Sequence, residues 1–131
     1  MIIGLGTDIV EIDRIEAQIK KSVRLADRVL TPDERQIFEQ HMHPARYLAK
    51  RFAAKEAAVK ALGTGIGHGI SWQHISITNN ELGQPSLSFN GEFAERCKLR
   101  GVTSSFVSIS DEKHYAVATV ILEANGSANA E

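Results

Sequence analysis

A chain of 131 residues fits one domain, and a composition 43% apolar and 24% charged is that of an ordinary soluble globular protein. The net charge of −1 argues against a general polyanion binder, and the single cysteine, Cys97, excludes an internal disulfide and fits a reducing cytosol. The opening MIIGLGTDIV is too short to cross a membrane and lacks the basic start of a signal peptide.

Residues 2–10 alternate as a strand, with Ile3, Leu5, Thr7 and Ile9 on one face and Gly4, Gly6 and Asp8 on the other. The glycines strip the Asp8 face of side chains, which leaves room for something to approach. Residues 11–29 read as one helix with Ile12, Ile15, Ile19, Val23 and Leu25 or Ala26 as its apolar stripe. Thr31-Pro32-Asp33-Glu34 starts a second helix: Thr31 at the N-cap, Pro32 at the first helical position, Glu34 closing a capping box. That helix runs to about Gln40, and Pro44 opens a longer one that ends near Leu62.

The loop GTGIGHG follows. Strands are then expected over SWQHISIT and around Leu87 and Phe89, separated by a turn at residues 79–85. Asn90 caps a short helix to about Leu99, closed by Gly101. Two final strands, VTSSFVSIS and HYAVATVILE, form a hairpin through Asp111-Glu112-Lys113. One strand, several helices, then mostly strands predicts an α+β fold with an antiparallel sheet packed against helices. Residues 1–123 form the domain, and the small polar residues 124–131 are expected to fray. The late strands spread apolar residues over both faces of the sheet, so a face left uncovered by helices would mark an interface.

Two basic runs lie in the first half. Arg14, Lys20, Lys21, Arg24 and Arg28 face only Glu16 and Asp27. Arg46, Lys50, Arg51, Lys55 and Lys60 face Glu56 alone. Together they point to an anionic partner more strongly than either does, although either by itself is also what a solvated helix face looks like. Glu56 sits at the edge of its helix's buried stripe, and two readings stay open. It forms an ordinary i,i+4 pair with Lys60, or it joins Asp8 as a hard oxygen donor for Mg²⁺, which takes one or two carboxylates plus waters and phosphate oxygens. The glycine loop is no P-loop, because it follows a helix and no Gly-Lys-Ser/Thr closes it. It is a plain helix C-cap, or a set of backbone N–H groups beside Lys60 and Arg51 able to meet a phosphate. His41 and His43 have a metal-like spacing but no third ligand nearby, and no serine or cysteine nucleophile motif is present.

GLGTDIVEIDRI at 4–15 and RFAAKEAAVKALGTGIG at 51–67 resemble the two signature segments of the holo-acyl-carrier-protein synthase family of bacterial 4′-phosphopantetheinyl transferases. A Gly-x-Pro turn (Gly83-Gln84-Pro85) and the strand pair SISDEKHYAVATVIL at 108–122 follow in the family's order. The resemblance spans nearly the whole chain. It implies transfer of the phosphopantetheine arm of coenzyme A to a serine of acyl carrier protein, with release of 3′,5′-ADP. It assigns Asp8 and Glu56 as Mg²⁺ ligands and Lys60 to the pyrophosphate. Arg46, Arg51, Gly63, Thr64, Gly65 and Pro85 fall at positions bordering coenzyme A. Arg14, Lys21, Arg24 and Arg28 fall on a helix that docks the acidic carrier. The resemblance also implies the fold of that transferase family, a cytoplasmic homotrimer and active sites shared between subunits, with no nucleic-acid or membrane partner. Two positions depart from it: Asp111 stands near where some members have histidine, and Gln84 where lysine is common. A non-catalytic coenzyme A or nucleotide-binding module, and a nucleic-acid-binding domain using the basic helices, are the readings from other classes.

Overall fold

The computed structural model describes residues 1–125. Strand β1 (Ile2–Glu11) leads into α1 (Ile12–Lys21), α2 (Arg24–Val29), α3 (Pro32–Gln40) and the long α4 (Pro44–Leu62). A 3₁₀ turn at Trp72–His74 precedes β2 (Ile75–Asn79), β3 (Pro85–Phe89), α5 (Gly91–Leu99), β4 (Ser104–Asp111) and β5 (Tyr115–Glu123). The strands form an antiparallel sheet in the order β1-β5-β4 and a separate β2-β3 hairpin. The expected α+β class with an antiparallel sheet is what the chain adopts.

The centre of the molecule is α4, and its alanines explain how it packs. Ala49, Ala53, Ala54, Ala57 and Ala58 are fully buried, so the helix presents almost no side-chain bulk to the sheet. The sheet answers with Gly4 and Gly6 on β1 and with Ala116 and Ala118 on β5, the last two also buried. The approach is backbone to backbone: a Cβ on Gly4 would lie 1.8 Å from the Ala61 carbonyl oxygen, and one on Gly6 2.0 Å from that of Ala57. The bare strand face thus receives α4 itself, not a ligand. Any side chain at Gly4 or Gly6 would pry the helix from the sheet.

Because that face of β1 turns inward, Leu5 and Ile9 turn outward and are each 64% exposed. Among the described residues the opposite sheet face is uncovered, with apolar rows on either side of a polar one, Thr7, Thr119 and Ser108. Leu5, Ile121 and Phe106 are aligned across the three strands, and Val117 lies beside Ile9.

Two elements differ from expectation. The helix expected over 11–29 breaks at Ser22, whose backbone is extended and whose hydroxyl accepts from the Arg24 N–H at 3.2 Å. A serine hydroxyl that satisfies a backbone donor competes with helix continuation, so a second helix starts instead. The strand expected from Ser71 starts only at Ile75. Ser71 caps a 3₁₀ turn, accepting from the Gln73 N–H at 3.0 Å while its own N–H donates to His74 Nδ1 at 3.2 Å. At the chain's other end, Ala124 is buried and exchanges backbone hydrogen bonds with Met1, both 2.8 Å. The remainder of the expected tail, 126–131, lies outside the described residues. Cys97 is buried in α5, and burial pushes its thiol up to about 11, so it stays protonated and unreactive near neutral pH.

Candidate functional site

The tight β1–α4 contact determines what Asp8 meets. Asp8 is the first residue beyond the glycines on the inward face, and Lys60 reaches across from the last turns of α4. The Lys60 ammonium lies 2.8 Å from Asp8 Oδ1 and also donates to the Thr7 carbonyl at 3.0 Å. Glu56 stands one helical turn before Lys60 on the same side of α4. It does not pair with Lys60. Its Oε2 accepts from the indole Nε1–H of Trp72 at 2.6 Å, and Oε1 has no hydrogen-bond partner among the described residues. The i,i+4 ion pair is thereby replaced by two separate contacts, Lys60 with Asp8 and Glu56 with Trp72.

The other cations expected around Glu56 go elsewhere. Lys55 is fully buried and Arg51 is 6% exposed, and both turn toward Glu34 on α3. Glu34 Oε1 accepts from Lys55 at 2.6 Å and from the Thr31 N–H at 2.9 Å, so the capping box is present. Its Oε2 accepts from the Ile77 N–H at 2.9 Å with Arg51 Nε at 3.8 Å. Desolvation pulls the Lys55 pKa down, against the opposing pull of Glu34. This knot ties α3, α4 and β2 together and takes Lys55 out of any anion-binding face. Two of the five cations of the basic run, Arg51 and Lys55, are therefore buried.

Arg51 nevertheless borders open space. A cavity of about 320 Å³ is lined by Arg46, Tyr47, Lys50, Arg51, Asn79 and Pro85, among others. The Arg51 guanidinium packs 4.8 Å over the Tyr47 ring and donates to Asn79 Oδ1 at 3.0 Å. Two buried atoms there, Tyr47 Oη and Arg51 Nε, have no hydrogen-bond partner among the described residues. Burial raises the Tyr47 phenol, with Arg51 opposing. At the rim Asp111 Oδ2 takes Arg46 at 2.7 Å, and Oδ1 lies 3.4 Å from Lys50. Arg46 also donates to the Glu112 carbonyl at 2.7 Å. Partial desolvation would raise the Asp111 carboxyl, but the Arg46 hydrogen bond and the Lys50 charge prevail and hold it below its ordinary value.

Arg46, Arg51 and Pro85 thus share one cavity, while Gly63, Thr64 and Gly65 do not line it. These three lie at the far end of α4, where Gly63 takes the left-handed C-cap conformation at φ 87°. Arg51 and Gly63 are separated by about 18 Å of helix at 1.5 Å per residue. The Thr64 Oγ1 is buried without a partner among the described residues. Lys60 and its partner Asp8 lie toward this far end, and Glu56 stands between the two, about 7.5 Å of helix from Arg51 and about 10.5 Å from Gly63. Arg14 and Lys21 on α1, and Arg24 and Arg28 on α2, are exposed, and none forms an ion pair among the described residues. Arg28 lies 5.6 Å over the Trp72 ring. Trp72 is the site residue that sequence patterning misses, because it reads as one more apolar residue of a strand.

Asp8 and Glu56 suit Mg²⁺ chemically. They are hard carboxylates, Asp8 is only 16% exposed, each has one oxygen engaged by a single donor, and no three-residue His/Cys/Asp/Glu cluster competes among the described residues. A site with two protein oxygens leaves the remaining positions to water and phosphate, which Mg²⁺ prefers.

The fold thus sets out Asp8 with Lys60, Glu56 with Trp72, and a cation-lined cavity toward the start of the same helix. The chain belongs to the 4′-phosphopantetheinyl transferase superfamily, whose model matches residues 4–120. The holo-[acyl-carrier-protein] synthase of Alteromonas mediterranea is 69% identical over 122 residues, covering 93% of this chain and 97% of the relative. Among solved structures, the Neisseria meningitidis holo-[acyl-carrier-protein] synthase superposes with a TM-score of 0.87 at 42% identity, covering 94% of this chain and 99% of that one. The Helicobacter pylori enzyme of the same name, in complex with coenzyme A, superposes with a TM-score of 0.79 at 31% identity, covering 91% and 99%.

Proposed function

We propose that this chain moves the 4′-phosphopantetheine arm of coenzyme A onto a serine hydroxyl of apo acyl carrier protein, giving holo carrier and adenosine 3′,5′-bisphosphate. The observation that carries the reading is the near full-length, 69% identity to a relative bearing that name. The site chemistry agrees with it. The serine oxygen attacks the phosphorus that carries pantetheine, the pyrophosphate P–O bond breaks with its electron pair going to the departing bisphosphate, and the serine proton passes to solvent. Such a transfer needs alignment and charge neutralisation more than a protein nucleophile. Asp8 and Glu56 would hold Mg²⁺, which when bound would offset the charge of the pyrophosphate and of the departing bisphosphate. Lys60, half-exposed beside Asp8, donates to the same phosphates. Of the glycine loop, the Gly63 and Thr64 N–H groups donate to the Val59 carbonyl at 2.9 and 3.2 Å, so Gly65 offers the backbone N–H along the path of the ligand. Arg46, Arg51 and Pro85, with their cavity, receive the adenosine end. Arg14, Lys21, Arg24 and Arg28 form an exposed cationic surface for the acidic carrier.

The deciding experiment incubates the chain with coenzyme A, Mg²⁺ and apo acyl carrier protein and reads the mass of the carrier. The expected result is a gain of one phosphopantetheine, abolished by chelating the metal. Tight coenzyme A binding without any mass gain would instead identify a non-catalytic binding module.

The assembly belongs to the same reading. Leu5, Ile9, Phe106, Tyr115 and Val117, between 39% and 64% exposed, are apolar residues of the uncovered sheet face. A patch of this kind marks an interface. We assign it to a cytoplasmic homotrimer in which a neighbour's Arg46 cavity completes the site built on Asp8 and Glu56. Light scattering is expected to give three times the chain mass, and Phe106→Glu to give a monomer without activity. A fully active monomer would overturn both trimer and shared site.

A further inference from the structure

We propose that Trp72 is a positioning residue for Glu56: its indole N–H fixes one carboxylate oxygen and leaves the other presented to the metal. The inference rests on reading Glu56 as a Mg²⁺ ligand. The indole Nε1–H donates to Glu56 Oε2 at 2.6 Å, part-buried, and it is the only hydrogen bond Glu56's side chain makes among the described residues. A glutamate side chain has three rotatable bonds, so a free one samples many orientations. A donor on one oxygen removes most of them and directs the second oxygen. Groups that hydrogen-bond a metal ligand from behind commonly govern metal affinity by 10- to 100-fold, as an order of magnitude.

Trp72 is itself held from three sides, as a positioning group must be. Its ring packs against Phe52, one turn before Glu56 on α4, with centroids 5.9 Å apart. The Arg28 guanidinium lies 5.6 Å over the ring, a cation–π contact from α2. The 3₁₀ turn that carries it is anchored next door, where Gln73 Nε2 donates to the Asp27 carbonyl at 2.6 Å. The Ser71-capped turn, where a strand was expected, is the segment that presents the indole N–H to Glu56. It also connects Glu56 to α2, the helix whose cations face solvent.

The test is a calorimetric titration of Mg²⁺ into the full chain with saturating coenzyme A and no carrier protein. Trp72→Phe keeps a ring but deletes the donor, and is expected to weaken Mg²⁺ about tenfold. Coenzyme A affinity without Mg²⁺ and the melting temperature should stay close to wild type. Phe52→Leu loosens one support of the ring but keeps the donor, and should weaken Mg²⁺ clearly less than Trp72→Phe does. Trp72 is the only tryptophan of the chain, so wild-type fluorescence supplies a second readout that needs no substitution. With coenzyme A present, adding Mg²⁺ should shift the emission of wild type and not that of Glu56→Gln. Wild-type Mg²⁺ affinity in Trp72→Phe, an equal loss in Phe52→Leu, or a wild-type emission that ignores Mg²⁺ would each overturn the proposal. Glu56→Gln binding Mg²⁺ as tightly as wild type would instead remove the metal-ligand reading beneath it.

Discussion

Asp8→Ala and Glu56→Ala are each expected to lower the rate of phosphopantetheine transfer by about a thousandfold or more, the scale on which single charge-stabilising groups act in phosphoryl transfer. The competing explanation, loss of fold, is weak on magnitude. Asp8, 16% exposed, gives up an ion pair to a lysine that is 53% exposed, and a pair solvated on one side contributes on the order of 1 kcal/mol. Glu56 gives up one part-buried hydrogen bond, worth on the order of 1 kcal/mol net. A domain with roughly 5–15 kcal/mol of stability absorbs either. Both variants should therefore keep the wild-type circular dichroism spectrum and lose little melting temperature. Carrier mass after timed incubation reads the activity. Near-full transfer by either folded variant would remove that residue from the metal site.

The largest expected effect on stability lies at Glu34, a residue with no proposed role in transfer. Glu34→Ala leaves the Lys55 ammonium, fully buried, with only the Val29 carbonyl at 2.6 Å as partner. The Thr31 and Ile77 N–H groups lose their acceptor as well. Breaking a buried ion pair from one side costs about 3–5 kcal/mol, which consumes much of the stability of an average domain. Urea unfolding should show a lower midpoint at unchanged slope. The double variant Glu34→Leu with Lys55→Met removes both charges and should recover part of the loss, because the ammonium is no longer stranded. Recovery should remain incomplete, since the two N–H groups still lack an acceptor. A Glu34→Ala midpoint within the equivalent of about 1 kcal/mol of wild type would show that the knot contributes little.

The same carboxylate shows how far local pattern reaches. Thr31-Pro32-Asp33-Glu34 is readable as a helix start because all its partners lie within one turn, and the structure has that capping box. Nothing in those four residues announces that Glu34 also neutralises Lys55 and lies beside Arg51, 21 and 17 positions later. The sequence therefore presents a basic run facing Glu56 alone, whereas the fold sends part of that run inward. Alternation in β1 holds from Gly4 to Ile9 as to which residues share a face, but an irregularity between Ile2 and Gly4 exposes Ile2 and packs Ile3, expected beside Leu5, against the core. Alternation was silent on which face turns in, and the room beside Asp8 turned out to be filled by the backbone of α4.

Sequence by itself determined the local features of this protein: the helix starts at Thr31 and Pro44, the glycine stop after Leu62, the late hairpin, the α+β class, and the Asp8 and Glu56 segments that resemble a phosphopantetheinyl transferase. These depend on backbone preference and on neighbours within a few residues, which spacing records directly. Tertiary structure alone decided which partner each charge takes. Lys60 went to Asp8, Glu56 to Trp72, Arg51 and Lys55 toward Glu34, and Arg46 to Asp111. The physical reason is that ion pairs and hydrogen bonds depend on distance and burial, and both were set by the alanine face of α4 settling onto the glycines of β1.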